Sequence, residues 1–137
     1  MASIQREVLI DVPADALWSA VRDVGALHTR LVRGFVTDCR LEEGNARVVT
    51  FANGLVAKEV IVNLDDEARR LVWSATGGRL VHHNASVQVF AVGPEQSRLV
   101  WIADLLPDAM APAITGMIEA ATAAMKQTVE HGEAGPP

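Results

Sequence analysis

Apolar and polar residues alternate over 3–12, with Ile4, Arg6, Val8 and Ile10 on one side of an extended chain, so the segment predicts a β-strand. Pro13 then opens a stretch in which Leu17, Trp18 and Val21 fall at helical spacing, and proline suits a helix start. Gly25 is the expected end of that helix, and "ALHTRLV" has room for one or two further helical turns. From Gly34 the period becomes two. Strands are predicted over 35–43, 46–52, 55–64, 71–76, 79–92 and 98–106. Between them lie "GN", Asn53-Gly54 as a two-residue hairpin signal, the charged turn "DDEARR", Gly77-Gly78 and "GPEQS". The helical period returns in the tail. There Met110, Ile114, Met117, Ile118, Ala121, Met125 and Val129 form one stripe, with Pro107 and Pro112 near its start and Gly132 at its stop.

Short connections between successive strands make an antiparallel meander the economical topology. The expected class is α+β: a curved antiparallel sheet of about seven strands around one long C-terminal helix, with one or two short helices after the first strand. That helix is the only element large enough to cover the sheet's apolar face. A bent sheet gripping one helix leaves space between them, a natural ligand cavity. The chain of 137 residues reads as a single domain over 1–137, with 132–137 a frayed tail.

Composition narrows the partners. Hydrophobic residues make up 50% and charged residues 21%, with a net charge of -5, and no basic cluster is interleaved with aromatics. Nucleic acid is therefore not an expected partner. The single Cys39 makes neither an intrachain disulfide nor a metal framework, and it fits a reducing cytoplasm, the expected location. Glu7 and Asp11 interrupt any signal-peptide pattern, and no apolar run approaches the roughly 18 residues of a membrane span.

Candidate chemistry sits in "RLVHHNASVQVF". Alternation puts Val81, His83, Ala85, Val87 and Val89 on the buried face and His82, Asn84, Ser86, Gln88 and Phe90 on the other. Adjacent strand residues point oppositely, so the two histidines do not share a metal, and no other ligand spacing appears. No metal and no cofactor is expected. His83 has two readings: an inward general base or ligand donor, or a core-edge histidine satisfied by a backbone carbonyl or water. Asn84 is exposed by the same alternation, unless a bulge near Gly77-Gly78 swaps the parity and turns it inward. Glu59 shares a face with Leu55, Ala57 and Ile61, and Lys58 shares one with Val56, Val60 and Val62. If Glu59 is inside it must pair or take a proton, with Arg33 and Arg47 the candidate partners; otherwise it joins a solvated cross-strand ladder. Trp73, Trp101 and Met117 are core or cavity wall. With Trp101 facing in, Val100 and Ile102 face out, where they lie under a neighbouring loop or pair with a second copy of the chain in a homodimer.

The segments "VPADALWSAVRDVGAL", "GLVAKEVIVNLDDEARRLVWSA", "HHNASVQVF" and "RLVWIADLLPD" resemble the Bet v 1/START-like superfamily, and within it the bacterial polyketide cyclase/dehydrase-like (SRPBCC) group. The resemblance implies the helix-grip fold and a hydrophobic pocket between sheet and helix. Comparison with plant abscisic acid receptors of this superfamily further implies that Glu59 and Arg33 face the pocket. The ligand-binding set expected is Arg33, Arg47, Glu59, Trp73, His83, Asn84, Trp101 and Met117, with Glu59 and His83 the catalytic candidates. Three functions stay open. One is binding of a small hydrophobic or amphipathic molecule. Another is a cofactor-independent cyclase or dehydratase using an acid/base in the same pocket. The last is a partner-binding module whose cavity is filled.

Overall fold

The computed structural model describes residues 1–132. Seven strands form one antiparallel sheet: β1 (Ala2–Ile10), β2 (Val36–Glu42), β3 (Ala46–Phe51), β4 (Val56–Asp65), β5 (Arg70–Thr76), β6 (His82–Gly93) and β7 (Gln96–Leu106). The spatial order is β1-β7-β6-β5-β4-β3-β2, so β2 to β7 run as a meander and β1 pairs with the last strand. Helix α1 (Ala14–Arg22) and a wide helical turn over Leu27–Leu31 lie between β1 and β2, and helix α2 (Ala111–His131) closes the chain. The expectation of a frayed tail lies, from 133 onward, outside the described residues.

Local chemistry explains the joints. Glu42 pairs with Ala46, so β2 and β3 are joined by the three residues 43–45, of which Gly44 and Asn45 both take positive φ, 79° and 56°. Asn53-Gly54 does not form the expected two-residue turn. Only Gly54 turns left-handed, Asn53 Oδ1 accepts the Leu55 N–H at 3.0 Å, and residues 52–55 make a longer loop. The turn after β4 does more than carry charge. Asp66 accepts a hydrogen bond from Trp18 Nε1 at 2.9 Å and pairs with Arg22, tying α1 to the sheet. Both basic and indole donors hold the Asp66 carboxyl below its ordinary range.

Two irregularities redirect side chains. The β4–β5 register shifts between Ile61 and Asn63, leaving Val62 as an extra residue, 56% exposed. Leu64 thereby resumes the inner face, opposite buried Leu71. The expected strand from 79 starts only at His82, because Gly77 and Gly78, at φ 108° and 61°, carry the chain off the sheet. Val81 is consequently 80% exposed rather than on the buried face.

Helix α2 lies across the inner face with Ile118, Ala121 and Met125 buried beneath it. Burial of each large side chain there contributes roughly 1.5–3 kcal/mol. Polar ties hold its flanks. Glu119 accepts from Arg6 at 3.3 Å, Glu130 from the Asp11 N–H at 2.8 Å, and Thr128 Oγ1 from the Arg33 N–H at 3.0 Å. Gly132, at φ 71°, ends the helix by donating its N–H to the Thr128 carbonyl at 2.7 Å. Because α2 is fastened at its edges, its middle bridges the sheet without filling the space below.

Candidate functional site

That space is a cavity of about 550 Å³, within the usual range for small-molecule sites. The sheet supplies its floor through β3 to β7, and α2 its roof through Ile114, Met117, Ile118, Ala121 and Met125. The segment Leu27–Val36 closes one end, where Phe35 meets Phe51 edge-to-face with ring centres 5.6 Å apart. Leu55, Val56 and the turn 76–80 border it as well. The walls are overwhelmingly apolar, so the polar groups among them are conspicuous.

Arg47 and Glu59 stand directly opposite each other on β3 and β4, both on the inner face. Their side chains are 3% and 10% exposed. Arg47 Nε and Nη2 both reach Glu59 Oε1, at 2.9 and 2.8 Å, and Nη1 donates to the Val24 carbonyl at 3.1 Å. The guanidinium carbon also lies 5.7 Å from the centre of the Trp73 ring. Pairing and hydrogen bonding together are what permit two charges to sit in an apolar wall. Glu59 Oε2 has no hydrogen-bond partner among the described residues and is not sealed from solvent. Trp73 in turn meets Trp101 edge-to-face, centres 5.4 Å apart.

His83 lines the cavity from the start of β6. Its Nδ1 accepts the Ala75 N–H at 3.0 Å, and its carbonyl accepts the Ser74 hydroxyl at 2.6 Å. The last backbone pair between β5 and β6 is Trp73 with Ala85, so the imidazole replaces a carbonyl where the ladder ends. Burial, with a smaller push from the neighbouring His82, holds the imidazole pKa below its ordinary value.

Six of the eight residues singled out from the sequence thus border one space: Arg47, Glu59, Trp73, His83, Trp101 and Met117. Two do not. Arg33 precedes β2 and donates from Nη1 to the Gly132 carbonyl at 2.7 Å, so it fastens the end of α2 instead of facing the cavity. Asn84 stands opposite Asp104 on the outer face; no bulge intervenes between it and His83, so alternation turns it away from the cavity. The outer face also carries Val100 and Ile102, the latter 37% exposed. Sequence reasoning missed Phe35, Phe51, Arg79 and Leu80. They lie in or beside loops, where no period marks the inward side.

A seven-stranded antiparallel sheet wrapped on a C-terminal helix, with an apolar chamber between them, defines a START-like helix-grip protein. The chain belongs to the family described as polyketide cyclase / dehydrase and lipid transport, whose model matches residues 1–130. No curated protein sequence matches it. Among solved structures, a START superfamily protein from Mycobacterium smegmatis is similar at TM-score 0.76 and 15% identity, over 96% of this chain and 99% of that one. One half of the di-domain ARO/CYC BexL from the BE-7585A biosynthetic pathway is similar at TM-score 0.74 and 13% identity, over 93% of this chain and 47% of that one. Norcoclaurine synthase from Thalictrum flavum is similar at TM-score 0.68 and 20% identity, over 96% of each chain. Likeness at these identities is a likeness of fold. Among the described residues no helix is long and apolar enough to cross a membrane.

Proposed function

We propose that this protein binds a small hydrophobic or amphipathic molecule in the chamber between sheet and α2. The observation that carries the reading is the chamber itself: about 550 Å³ of room, apolar walls, and a buried Arg47–Glu59 ion pair set among them. An apolar space of that size gains by exchanging water for a ligand's apolar surface. Native mass spectrometry of the gently purified protein tests it. A one-to-one adduct that an organic solvent releases supports the reading. A bare chain that also fails to bind Nile red overturns it.

A second reading, a cofactor-independent cyclase or dehydratase, is favoured by one feature. Glu59 Oε2 is an uncommitted carboxylate oxygen in a wall that is otherwise apolar. Such an oxygen is placed to take a proton from a ligand held and oriented by the walls. Structures named as the di-domain ARO/CYC BexL and as norcoclaurine synthase share the fold. Turnover of a reactive poly-carbonyl substrate that Glu59→Gln abolishes while binding persists would support this reading.

A further inference from the structure

The hydrogen bond at His83 fixes more than the ring's position. A backbone N–H can only donate, so the Nδ1 that receives it from Ala75 at 3.0 Å carries no proton. In the neutral imidazole the proton then sits on Nε2. Protonating Nδ1 would break that bond and set two N–H groups against each other. Nε2 has no partner among the described residues, is not sealed off, and belongs to a ring that lines the cavity. The backbone that carries the ring is held by the Ser74 hydroxyl on the His83 carbonyl at 2.6 Å and by the pairing of β6 with β7, and the ring itself is oriented by the Ala75 N–H. Across the floor, Glu59 stands opposite the same Ala75, so Glu59 and His83 lie on either side of that one residue, which itself lines the cavity. Arg47 is committed to Oε1 and to the Val24 carbonyl.

Building on the binding function proposed above, we propose that His83 is a specificity-determining donor: its Nε2–H binds an uncharged oxygen acceptor, a ketone, ester or ether, on the ligand. With Nδ1 occupied and Nε2 already protonated, the neutral ring has no free lone pair for a general base. The same tautomer suits polarising a carbonyl, if the ligand reacts. Ligands that present only hydrocarbon at that point leave a donor without a partner and bind less tightly.

Two isosteric probes test this: 2-acetylnaphthalene, and 2-isopropenylnaphthalene, in which a CH₂ replaces the carbonyl oxygen. Titration followed by tryptophan fluorescence should give about tenfold tighter binding of the ketone to the wild type. His83→Asn retains an acceptor where Nδ1 lies and removes the donor at the Nε2 position, its own NH2 stopping short at the place of Cδ2. It should keep the fold and the affinity for the hydrocarbon, and lose the preference for the ketone. His83→Gln places an amide donor near Nε2 but abandons Ala75, so it should restore part of the preference in a less stable protein. Independently of any ligand, nitrogen-15 NMR should show the His83 proton on Nε2 with Nδ1 bare. A proton on Nδ1, or a ketone preference that survives in His83→Asn, overturns the proposal. Equal binding of both probes to the wild type overturns it while leaving the cavity reading intact. Failure of both probes to bind the wild type removes the cavity reading, and the role of His83 falls with it.

Discussion

Arg47→Met is the most informative single change in the chamber. Methionine keeps most of the stem's packing and removes every donor that faces Glu59: Nε at 2.9 Å and Nη2 at 2.8 Å to Oε1. It also releases the Val24 carbonyl. Removing one partner of a buried ion pair costs about 3–5 kcal/mol, because the other charge stays behind uncompensated. The carboxyl has an escape that sets a ceiling. Protonating a carboxyl of ordinary pKa, about 4.3, at pH 7 costs about 3.7 kcal/mol. The expected loss of stability is therefore about 3–4 kcal/mol, read by urea unfolding at pH 7. The sign with pH follows. In the variant the folded state favours the protonated carboxyl more than the unfolded state does, so the deficit is greatest at neutral pH. It should shrink toward pH 5, by up to about 1.4 kcal/mol per unit. Glu59→Gln keeps an acceptor near Arg47 but leaves the buried guanidinium, which cannot shed its proton, without a counter-charge, so it should cost about 3–5 kcal/mol as well. The double variant should be at least about 2 kcal/mol more stable than the two losses added together. A loss under about 1 kcal/mol for Arg47→Met, unchanged between pH 7 and 5, would mean that the pair is already hydrated, and the reasoning from burial would fail.

Two other predictions concern residues inside and outside the chamber. The folded pKa of His83 is depressed, so from about pH 6.5 downward the unfolded chain takes up a proton that the folded chain refuses. Wild-type stability should therefore fall with acid over that window more steeply than that of His83→Asn, and parallel curves would refute the depressed value. Arg33→Ala and Asn84→Ala should leave the affinity for 2-acetylnaphthalene unchanged within a factor of two, because neither side chain reaches the chamber. A tenfold loss in either variant would contradict the placement.

Alternation made much of this architecture readable. In β6 and β7 it separates the buried side chains (His83, Ala85, Val87 and Val89; Leu99, Ala103 and Leu105) from those facing outward. It also puts Glu59 and Lys58 on opposite faces, but both faces carry apolar neighbours, so alternation alone does not say which charge is inside; the structure buries Glu59 and exposes Lys58. Alternation fails where the backbone departs from regularity. The extra residue at Val62 has no signature among Val, Ile and Asn neighbours that suit a strand equally well. The strand expected at 79 lost its first three residues to two glycines whose left-handed turns a period-two pattern does not register. Arg33 was placed by comparison with a strand in other proteins, whereas here the chain at 33 has only an isolated bridge to Val36 before β2 begins. Sequence alone does not decide between Arg33 and Arg47 as the partner of Glu59, because that needs the β3–β4 register, which the loop at 52–55 sets. Nor does a sequence disclose which nitrogen of His83 is occupied, since that depends on where the β5–β6 ladder stops.

The chamber's openness is tested most directly by calorimetric titration of 2-acetylnaphthalene at several temperatures, into the wild type and into Ala57→Phe. Ala57 borders the space from β4 and is only half-buried, so a phenyl ring there occupies ligand volume without crowding the packed core. One-to-one binding with a negative heat-capacity change in the wild type, weakened at least tenfold in Ala57→Phe while its unfolding midpoint holds, is the expected result. Heat of binding that is absent in the wild type, or identical in the two proteins, would show that the space between sheet and helix holds no ligand.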